Sequence, residues 1–291
     1  MSFRQALESG KFLVTAEIGP GKGTDVEDLL KDADVIKDRV DAVNVTDLQS
    51  SVMRLGSMAV CHLLTDMGID PIFQITCRDR NRLALQSDLL SAWVLGIRNV
   101  LALTGDHPAL GDHPRAKPVF DLDSVTLLEV IGKVNSGFDM AGKELKGAPD
   151  LLPGAVVNPG ADNEAALDLQ IIKMEKKIEA GARFFQTQGV YDLDAFERFM
   201  KRVEGFNTKV LGGIILLKSV GMARYMNKNV AGVFVPEPLI QELKEAEDKV
   251  ETGINIAVRL AKGMKDLCQG IHIMALGWEN KIPPILDAAG L

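Results

Sequence analysis

The chain has 291 residues, of which 46% are hydrophobic and 25% charged, the profile of a globular protein rather than a disordered one. Its formal net charge of −7 argues against nucleic acid as a partner, because phosphate binding needs clustered Lys and Arg. No apolar run approaches the roughly 20 residues that span a bilayer, and the N-terminus lacks the features of a secretory signal. We therefore expect a cytoplasmic protein without membrane insertion, long enough for one large α/β domain or two ordinary ones.

Short apolar runs alternate with longer amphipathic segments along the chain. Such runs, punctuated by Gly and Pro, are typical of buried parallel strands. We predict eight strands, at Phe12–Ile18, Ala42–Thr46, Pro71–Thr76, Asn99–Leu103, Ala155–Asn158, Arg183–Thr187, Val210–Leu217 and Gly270–Leu276.

The segments between these runs predict helices, several of which end at a glycine. We predict them over about 24–39, 53–67, 83–95, 123–135, 165–180, 193–203, 236–267 (with a kink near Asp248) and 281–291. Two segments are irregular, the loop Thr104–Leu122 and a polar insertion, Gly137–Pro149. Loops of such length inside a compact domain are usually functional.

The spacing of the strands predicts the fold. They start near positions 12, 42, 71, 99, 155, 183, 210 and 270, and most intervals are about 30 residues, the length of a βα unit. Eight such units that close on themselves form a (β/α)8 TIM barrel, whose typical size of about 250 residues fits. A doubly wound open sheet is the alternative, but no G-x-G-x-x-G follows the first strand. The prediction is an α/β protein, a single (β/α)8 barrel domain over residues 1–291.

Polar residues lie at the ends of most predicted strands. They are Glu17, Thr46, Asp47, Gln74, Thr76, Asp79, Asp106, Asn158, Gln188 and Lys218. In a barrel they converge on the face where barrel enzymes keep their chemistry. The ring is rich in carboxylates, amides and hydroxyls and has no His or Cys cluster suited to zinc, so no metal site is expected.

Each of these residues also has a structural interpretation. Glu17 lies in an otherwise apolar strand, so solvated surface explains it poorly and catalysis stays open. Asp106 is also suited to forming a turn or capping a helix, and Asn158 and Gln188 to satisfying loop backbone groups. No histidine is the first choice of catalyst; the four are His62, His107, His113 and His272.

Cysteine usage points to the same kind of protein. Cys61, Cys77 and Cys268 are isolated, without CxxC spacing. An odd, unpatterned set favours reduced thiols buried in a cytoplasmic protein.

Several segments together resemble the flavin-dependent methylenetetrahydrofolate reductases over nearly the whole chain. They are Thr15–Pro20 (TAEIGP), Val43–Thr46 (VNVT), Ile75–Cys77 (ITC), Asn99–Pro108 (NVLALTGDHP), Ala180–Gln188 and Gly270–Leu276. The GDHP loop with the downstream AKPVFDLDS is similar to the short single-domain bacterial type of this family.

The resemblance implies a barrel that holds FAD (FMN not excluded) and reduces 5,10-methylenetetrahydrofolate to 5-methyltetrahydrofolate in one-carbon metabolism. Such a reaction belongs to methionine biosynthesis or the Wood–Ljungdahl pathway. Glu17 corresponds to the acid that protonates the folate nitrogen, so that the ring opens to an iminium before hydride arrives. An apolar strand end under a flavin would keep water from this acid and favour its protonated form. Asp106 corresponds to the carboxylate beside flavin and pterin, which stays charged, and Gln188 to an amide that binds the folate.

The same resemblance assigns flavin-binding positions and partners. The flavin positions are Thr46, Gln74, Thr104, Gly105, Asp106, Asn158 and Lys177, with Lys177 as a partner for the diphosphate. Electrons come from NAD(P)H or from an iron–sulfur- and zinc-bearing subunit in a hetero-complex. A homo-oligomer is the other expected assembly.

The chain departs from the family pattern at four places. The first exit is Ile18–Gly21 instead of aromatics and prolines, and Gln74 stands where many members have His. Leu216–Val220 lacks an aromatic residue, and Gly189–Tyr191 replaces two phenylalanines. The departures disfavour nicotinamide stacking and favour a flavin subunit that receives electrons from a partner.

Three functional hypotheses follow. The first is the reductase. The second is a Schiff-base lyase on the same barrel, with Lys218 as nucleophile, because the apolar end of LLKS would desolvate an amine. The third is a non-catalytic flavin- or folate-binding subunit of a larger complex.

Overall fold

The computed structural model describes residues 1–160 and 163–291. Eight strands are present, β1 Leu13–Ile18, β2 Ala42–Val45, β3 Pro71–Thr76, β4 Asn99–Leu103, β5 Leu152–Val157, β6 Phe184–Gly189, β7 Lys209–Ile215 and β8 Gly270–Met274. All neighbours pair in parallel, and β8 pairs with β1 to close the barrel in sequence order. The predicted (β/α)8 TIM barrel is therefore confirmed.

Eleven α-helices accompany the strands in the described residues. They are α1 Phe3–Ser9, α2 Glu27–Ile36, α3 Ser57–Asp66, α4 Arg82–Val94, α5 Ser124–Asn135, α6 Glu164–Glu179, α7 Leu193–Val203, α8 Val220–Asn229, α9 Glu237–Glu245, α10 Lys249–Met264 and α11 Ile282–Ala289. No described helix has the length and apolarity to cross a membrane.

The amino end of the barrel is closed by α1, which the sequence analysis did not predict. Ser2 and Gln5 form a reciprocal capping box that starts this helix. Phe3 and Leu7 are buried in an apolar cluster with inward residues of the strands, and the Phe3 ring meets Phe184 edge-on at 5.1 Å. Gly154 makes room for the Phe184 ring, because a Cβ at position 154 would lie 2.2 Å from it.

The connection from β7 to β8 also differs from the prediction. It holds three helices, and the predicted kinked helix is two separate ones, α9 and α10. Asp248 causes the break, since its carboxylate caps α10 by accepting from the Val250 and Glu251 N–H groups. The helix α8 was not predicted; Ser219 caps it by accepting from the Met222 N–H.

Two predicted ends shift because the backbone there is not helical or not extended. Helix α3 begins at Ser57 instead of Met53, since Val52 and the N-cap residue Gly56 both have extended backbone. The eighth strand ends at Met274 because Leu276 has φ 55°.

Candidate active site at the carboxyl end of the barrel

A cavity of about 740 Å³ opens at the carboxyl ends of the strands, within the size range of cofactor and substrate sites. Every catalytic, flavin-binding and folate-binding residue that the family resemblance implies lines it. These residues are Glu17, Thr46, Gln74, Thr104, Gly105, Asp106, Asn158, Lys177 and Gln188. The barrel therefore brings together side chains from β1 to β6 that lie far apart in the sequence.

Glu17 lies at the inner end of this cavity and is only 9% exposed. Gln74 Nε2 donates to Glu17 Oε2 at 3.0 Å, and Gln49 Nε2 lies 3.4 Å from Oε1. His272 Nε2 is 3.8 Å from Oε2. Glu17 is thus a buried carboxyl group that accepts from two amide N–H donors and is in a position to exchange a proton with a ligand in the cavity.

A fully hydrogen-bonded polar layer lies below Glu17, inside the barrel. Asn44 and Gln186 exchange two amide hydrogen bonds of 2.7 and 2.9 Å. Gln186 Nε2 also contacts Thr15 Oγ1 at 3.2 Å and His272 Nδ1 at 3.3 Å, and Thr15 Oγ1 is 2.9 Å from that nitrogen. All four side chains are buried. His272 therefore lies inside the barrel, with one ring nitrogen in this layer and the other towards Glu17.

Asp47 and Thr76 hold two strand ends together. The Asp47 carboxylate accepts from the Thr76 N–H and hydroxyl, each at 2.9 Å, and from Arg80 at 2.7 Å. These bonds satisfy a buried acid and fix the β2 exit to the β3 exit. Asp79, by contrast, pairs with Arg78 and is not among the residues lining the cavity.

Thr46 differs from its neighbours because its buried hydroxyl oxygen has no hydrogen-bond partner among the described residues. A buried hydroxyl normally finds one. The oxygen belongs to a residue that lines the cavity, and it would be satisfied by a polar group of a bound ligand.

The loop after β4 presents Asp106. Position 105 has to be glycine, because its φ is +91° and a Cβ there would lie 3.0 Å from the Thr76 side chain. Asp106 is exposed, and its carboxylate forms no ion pair or hydrogen bond within residues 1–160 and 163–291. Its neighbour His107 caps a short 3-10 turn by accepting from the Ala109 N–H at 3.2 Å. The free carboxylate is thus available to a ligand, whereas the histidine shapes the loop.

Other predicted residues line the cavity while also holding structure. Thr104 Oγ1 accepts from the Ser124 N–H at the start of α5, at 3.1 Å. Asn158 accepts from the Gly160 N–H at 3.0 Å. Gln188 is exposed at the end of β6. A smaller cavity of about 360 Å³ lies beside this strand end and includes Tyr191, whose hydroxyl donates to the Ile215 carbonyl.

Positive charge enters from α6. Lys173, Lys176 and Lys177 all line the cavity. The half-buried Lys177 ammonium donates to the Val156 carbonyl at 2.8 Å. Burial, and then repulsion from Lys173, lower the pKa of Lys177 to about 8, although Asp123 opposes the shift. An incoming anion would favour the charged form of this lysine.

Lys218 is not among the lining residues. Its ammonium donates to the Leu276 carbonyl and lies 5.0 Å from the centre of the Trp278 ring. Burial lowers the pKa of Lys218, whereas Glu279 acts in the opposite direction. Its engagement outside the cavity disfavours the Schiff-base lyase.

The three cysteines are buried and unpaired, as predicted. Burial raises the pKa of each thiol, that of Cys77 to about 12, so the thiolate needed for reactivity is scarce. No group of three His, Cys, Asp or Glu side chains in the described residues is arranged to hold a metal ion.

Sequence reasoning missed Gln49 and the roles of Gln186 and His272. Alternation along GIHIM and FFQTQ does place His272 and Gln186 on one face of their strands. Whether that face pointed into the barrel depended on strand register, which the sequence pattern did not reveal. Gln49 lies in a left-handed loop for which no motif gives a signal.

Comparison with known proteins gives a consistent result. The family model described as methylenetetrahydrofolate reductase matches residues 2–290. Methylenetetrahydrofolate reductase 2 of Schizosaccharomyces pombe is 28% identical over 77% of this chain and 36% of its own. The 5,10-methylenetetrahydrofolate reductases of Escherichia coli and Pectobacterium carotovorum are 27% and 26% identical, over 68% and 88% of this chain and 64% and 84% of theirs. The chain thus spans less than two thirds of the first two relatives.

Among solved structures, the fold is similar to an uncharacterized protein from Clostridium thermocellum that binds two copies of 5-methyl-5,6,7,8-tetrahydrofolic acid. The TM-score is 0.65 with 16% identity, over 99% of both chains. A 2,3-dimethylmalate lyase gives a TM-score of 0.53 with 12% identity, over 99% of this chain and 87% of its own. At these identities the likeness concerns the barrel fold alone.

Proposed function

The chain belongs to the methylenetetrahydrofolate reductase family, and from that premise we propose that it reduces 5,10-methylenetetrahydrofolate to 5-methyltetrahydrofolate with a bound flavin. One observation carries the proposal: a buried carboxyl group, Glu17, lies at the inner end of a cavity whose rim carries the free carboxylate of Asp106. The folate ligand of the Clostridium thermocellum neighbour supports the substrate class. One domain over residues 1–291 would hold both ligands.

The residues fit a flavin at this site. Thr46 contributes a buried hydroxyl without a partner in residues 1–160 and 163–291, and Gly105 lets the backbone approach where a Cβ would clash. Gln74, Thr104 and Asn158 line the same cavity, and Lys177 offers an ammonium that an FAD diphosphate would charge and pair with. Bound there, the flavin would supply a two-electron hydride carrier. FAD is the proposed form, because the lysines of α6 suit a diphosphate better than a single phosphate.

Glu17 acts as the proton donor in this proposal. A closed aminal resists hydride attack, so one of its two nitrogens must first be protonated and leave as an amine. Glu17 gives up its proton to that nitrogen, the C–N bond breaks, and an iminium cation remains on the other nitrogen. Burial keeps water away from the acid and from the reactive cation.

Asp106 and Gln188 act on the substrate in its ground and cationic states. A charged carboxylate at the rim would bind the amino groups of a pterin and stabilise the iminium, because opposite charges attract. The exposed Gln188 amide, without side-chain partners within the described ranges, would donate and accept hydrogen bonds with the folate.

The electron source is a further part of the proposal. The β7 exit presents Leu216, Leu217 and Lys218 without an aromatic residue, and the first two are buried. This segment therefore offers a nicotinamide no aromatic ring of its own, which favours an iron–sulfur- and zinc-bearing subunit over NAD(P)H as direct donor. We also propose a cytoplasmic location and a homo-oligomer or hetero-complex, and the unpaired buried thiols support the location.

An absorbance spectrum of the purified chain tests the proposal. We expect flavin bands that bleach on anaerobic addition of 5-methyltetrahydrofolate, the reverse half-reaction. NADH added instead, with and without candidate partner proteins, then identifies the donor. Folate binding without any flavin redox change would support the non-catalytic subunit and contradict the reductase.

A further inference from the structure

The loops after β2 and β4 lie directly against each other at the rim of the large cavity. They cover residues 46–56 and 104–123. Ser51 Oγ, in the first loop, donates to the backbone carbonyl of Asp106, in the second, at 2.8 Å. Gly111 lies so close that a Cβ at position 111 would be 1.8 Å from the Ser51 carbonyl oxygen. Two loops that are distant in the sequence are therefore joined next to the free carboxylate.

The backbone of Asp106 has few other restraints. Gly105, before it, has a φ of +91°, and His107, after it, caps a 3-10 turn. Among the residues that the structure describes, the bond from Ser51 is the only hydrogen bond that Asp106 makes, with backbone or side chain. Since the carboxylate has no partner of its own there, its position depends on how this one peptide is held.

The loop after β2 presents Ser51 in a strained conformation. Leu48, Ser50 and Ser51 have φ values of 49°, 57° and 57°, in the left-handed region that residues other than glycine rarely adopt. Such a backbone persists only where the surrounding structure holds it, and it is concentrated at functional sites. The loop therefore needs contacts from its neighbours to keep the Ser51 hydroxyl in place.

Asp112, in the loop after β4, supplies two of these contacts. Its carboxylate accepts from the Met53 N–H at 3.0 Å and pairs with the Lys22 ammonium, which belongs to the loop after β1. The Leu55 N–H donates to the Gly21 carbonyl at 2.9 Å, so the loops after β1 and β2 are also joined directly. Three loops thus form one connected rim beside the cavity.

We propose that Ser51 is a positioning residue that acts through Asp106. Its hydroxyl fixes the Asp106 peptide, and the carboxylate is thereby held at the rim, where the pterin of a bound folate would meet it. Gly111 and Asp112 support this role by keeping the loop of Ser51 in place. The inference rests on the proposed function for its ligand, but the restraint on the Asp106 backbone is independent of any reaction.

The restraint is measurable by NMR in the protein without ligands. We expect the backbone amides of Asp106 and His107 to have order parameters of about 0.85 in wild type, the value for rigid backbone, and below about 0.6 in Ser51→Ala. Ser136→Ala is the matched control, because it removes a hydroxyl–carbonyl hydrogen bond of 2.7 Å at the end of α5 that is remote from the cavity. Unchanged order parameters in Ser51→Ala would overturn the proposal.

A second variant reaches the same contact from the other loop. Gly111 has φ −99° and ψ −166°, which alanine also adopts, so Gly111→Ala keeps the Ser51 hydroxyl and only forces the two loops apart. It should lower the order parameters of Asp106 and His107 as Ser51→Ala does. Wild-type values in Gly111→Ala would show that the contact between the loops does not restrain Asp106.

A double-mutant cycle tests whether Ser51 acts through Asp106. Loss of one neutral hydrogen bond should slow reoxidation of photoreduced flavin by 5,10-methylenetetrahydrofolate about 3- to 10-fold in Ser51→Ala. In an Asp106→Ala background the same change should slow it less than about twofold, because no carboxylate remains to be positioned. Equal losses in the two backgrounds would overturn the proposal. If wild-type flavin does not react with the folate, the proposed function fails, while the order parameters still decide the positioning of Asp106.

Discussion

The two ends of the barrel are built from opposite materials. At the amino end, α1 inserts Phe3 and Leu7 among inward apolar residues, and the whole cluster is buried. At the carboxyl end, the strands present a buried acid, an unpartnered hydroxyl and a free carboxylate around a large cavity. Unsatisfied and charged groups cost stability when buried. One end of this barrel therefore stabilises the fold, while the other end carries the groups that can bind a ligand.

Removing the apolar plug should have the largest effect on stability. Phe3→Ala takes a fully buried ring from its contact with Phe184 and should lower the free energy of unfolding by about 3–5 kcal/mol. Phe138→Ala, at a 40% exposed ring, is the control and should cost far less. Urea unfolding measures both. Folded Phe3→Ala protein should bind flavin and folate as wild type does. A loss of ligand affinity in the folded variant would contradict the separation of stabilising and ligand-binding residues between the two ends.

Removing the free carboxylate should affect ligands and not the fold. Asp106→Asn keeps the shape but loses the charge, and we expect the folate half-reaction to slow by about 10- to 100-fold, or about 1.4–2.8 kcal/mol. Thermal unfolding should be unchanged, because the carboxylate has no partner within the described ranges. Asp194→Asn, on the exposed face of α7, serves as the control. A large fall in stability for Asp106→Asn would mean that the acid is structural.

The pH dependence of flavin binding should report Lys177. Because the pKa of Lys177 is about 8, its ammonium is charged in the free protein below pH 8. Above pH 8 the amine is neutral and must take up a proton before it can pair with a phosphate. The affinity for FAD should therefore fall above pH 8, by at most about tenfold per pH unit. Calorimetry at pH 7 and pH 9 measures this, and Lys177→Met should bind weakly at both. An unchanged pH dependence in that variant would remove Lys177 from the flavin site.

The smallest effect should come from the unpartnered hydroxyl. Thr46→Val removes a buried oxygen without a hydrogen bond, so the ligand-free protein should gain up to about 1 kcal/mol of stability while flavin affinity falls. Thr187→Val is the matched control, because Thr187 Oγ1 donates to the Gln188 carbonyl and accepts from the Gly213 N–H. That variant should lose about 1–3 kcal/mol. Equal losses from both would show that Thr46 has a partner after all.

The same contrast explains how far the sequence predicts this molecule. The eight strands could be predicted from apolar runs at regular spacing. A parallel strand is buried on both faces, so nearly all of its residues are apolar. The predicted site residues meet in one cavity because a barrel gathers all strand ends at one face. Helices α1 and α8 were not predicted, although Ser2 and Gln5 form a capping box at the start of α1.

The parts of the site that could not be predicted from the sequence depend on contacts between residues of distant strands. Asp47 was grouped with the candidate site residues, but its carboxylate accepts hydrogen bonds from Arg80 and Thr76. His272 was not a first choice of catalyst, and only the closure of β8 against β1 brings it beside Thr15 and Glu17. Local pattern identifies which side chains are unusual, whereas the register of the closed sheet determines what each one touches.

Glu17 as proton donor is tested most directly by a single-turnover comparison of wild type with Glu17→Gln, in which previously photoreduced flavin is reoxidised anaerobically by 5,10-methylenetetrahydrofolate and its absorbance is followed. Glu8→Gln, an exposed change on α1, is the control. We expect Glu17→Gln to bind flavin and unfold like wild type but to reoxidise its flavin about 100- to 10,000-fold more slowly, the range for loss of a general acid. Reoxidation at the wild-type rate would contradict the assignment of Glu17 as the proton donor.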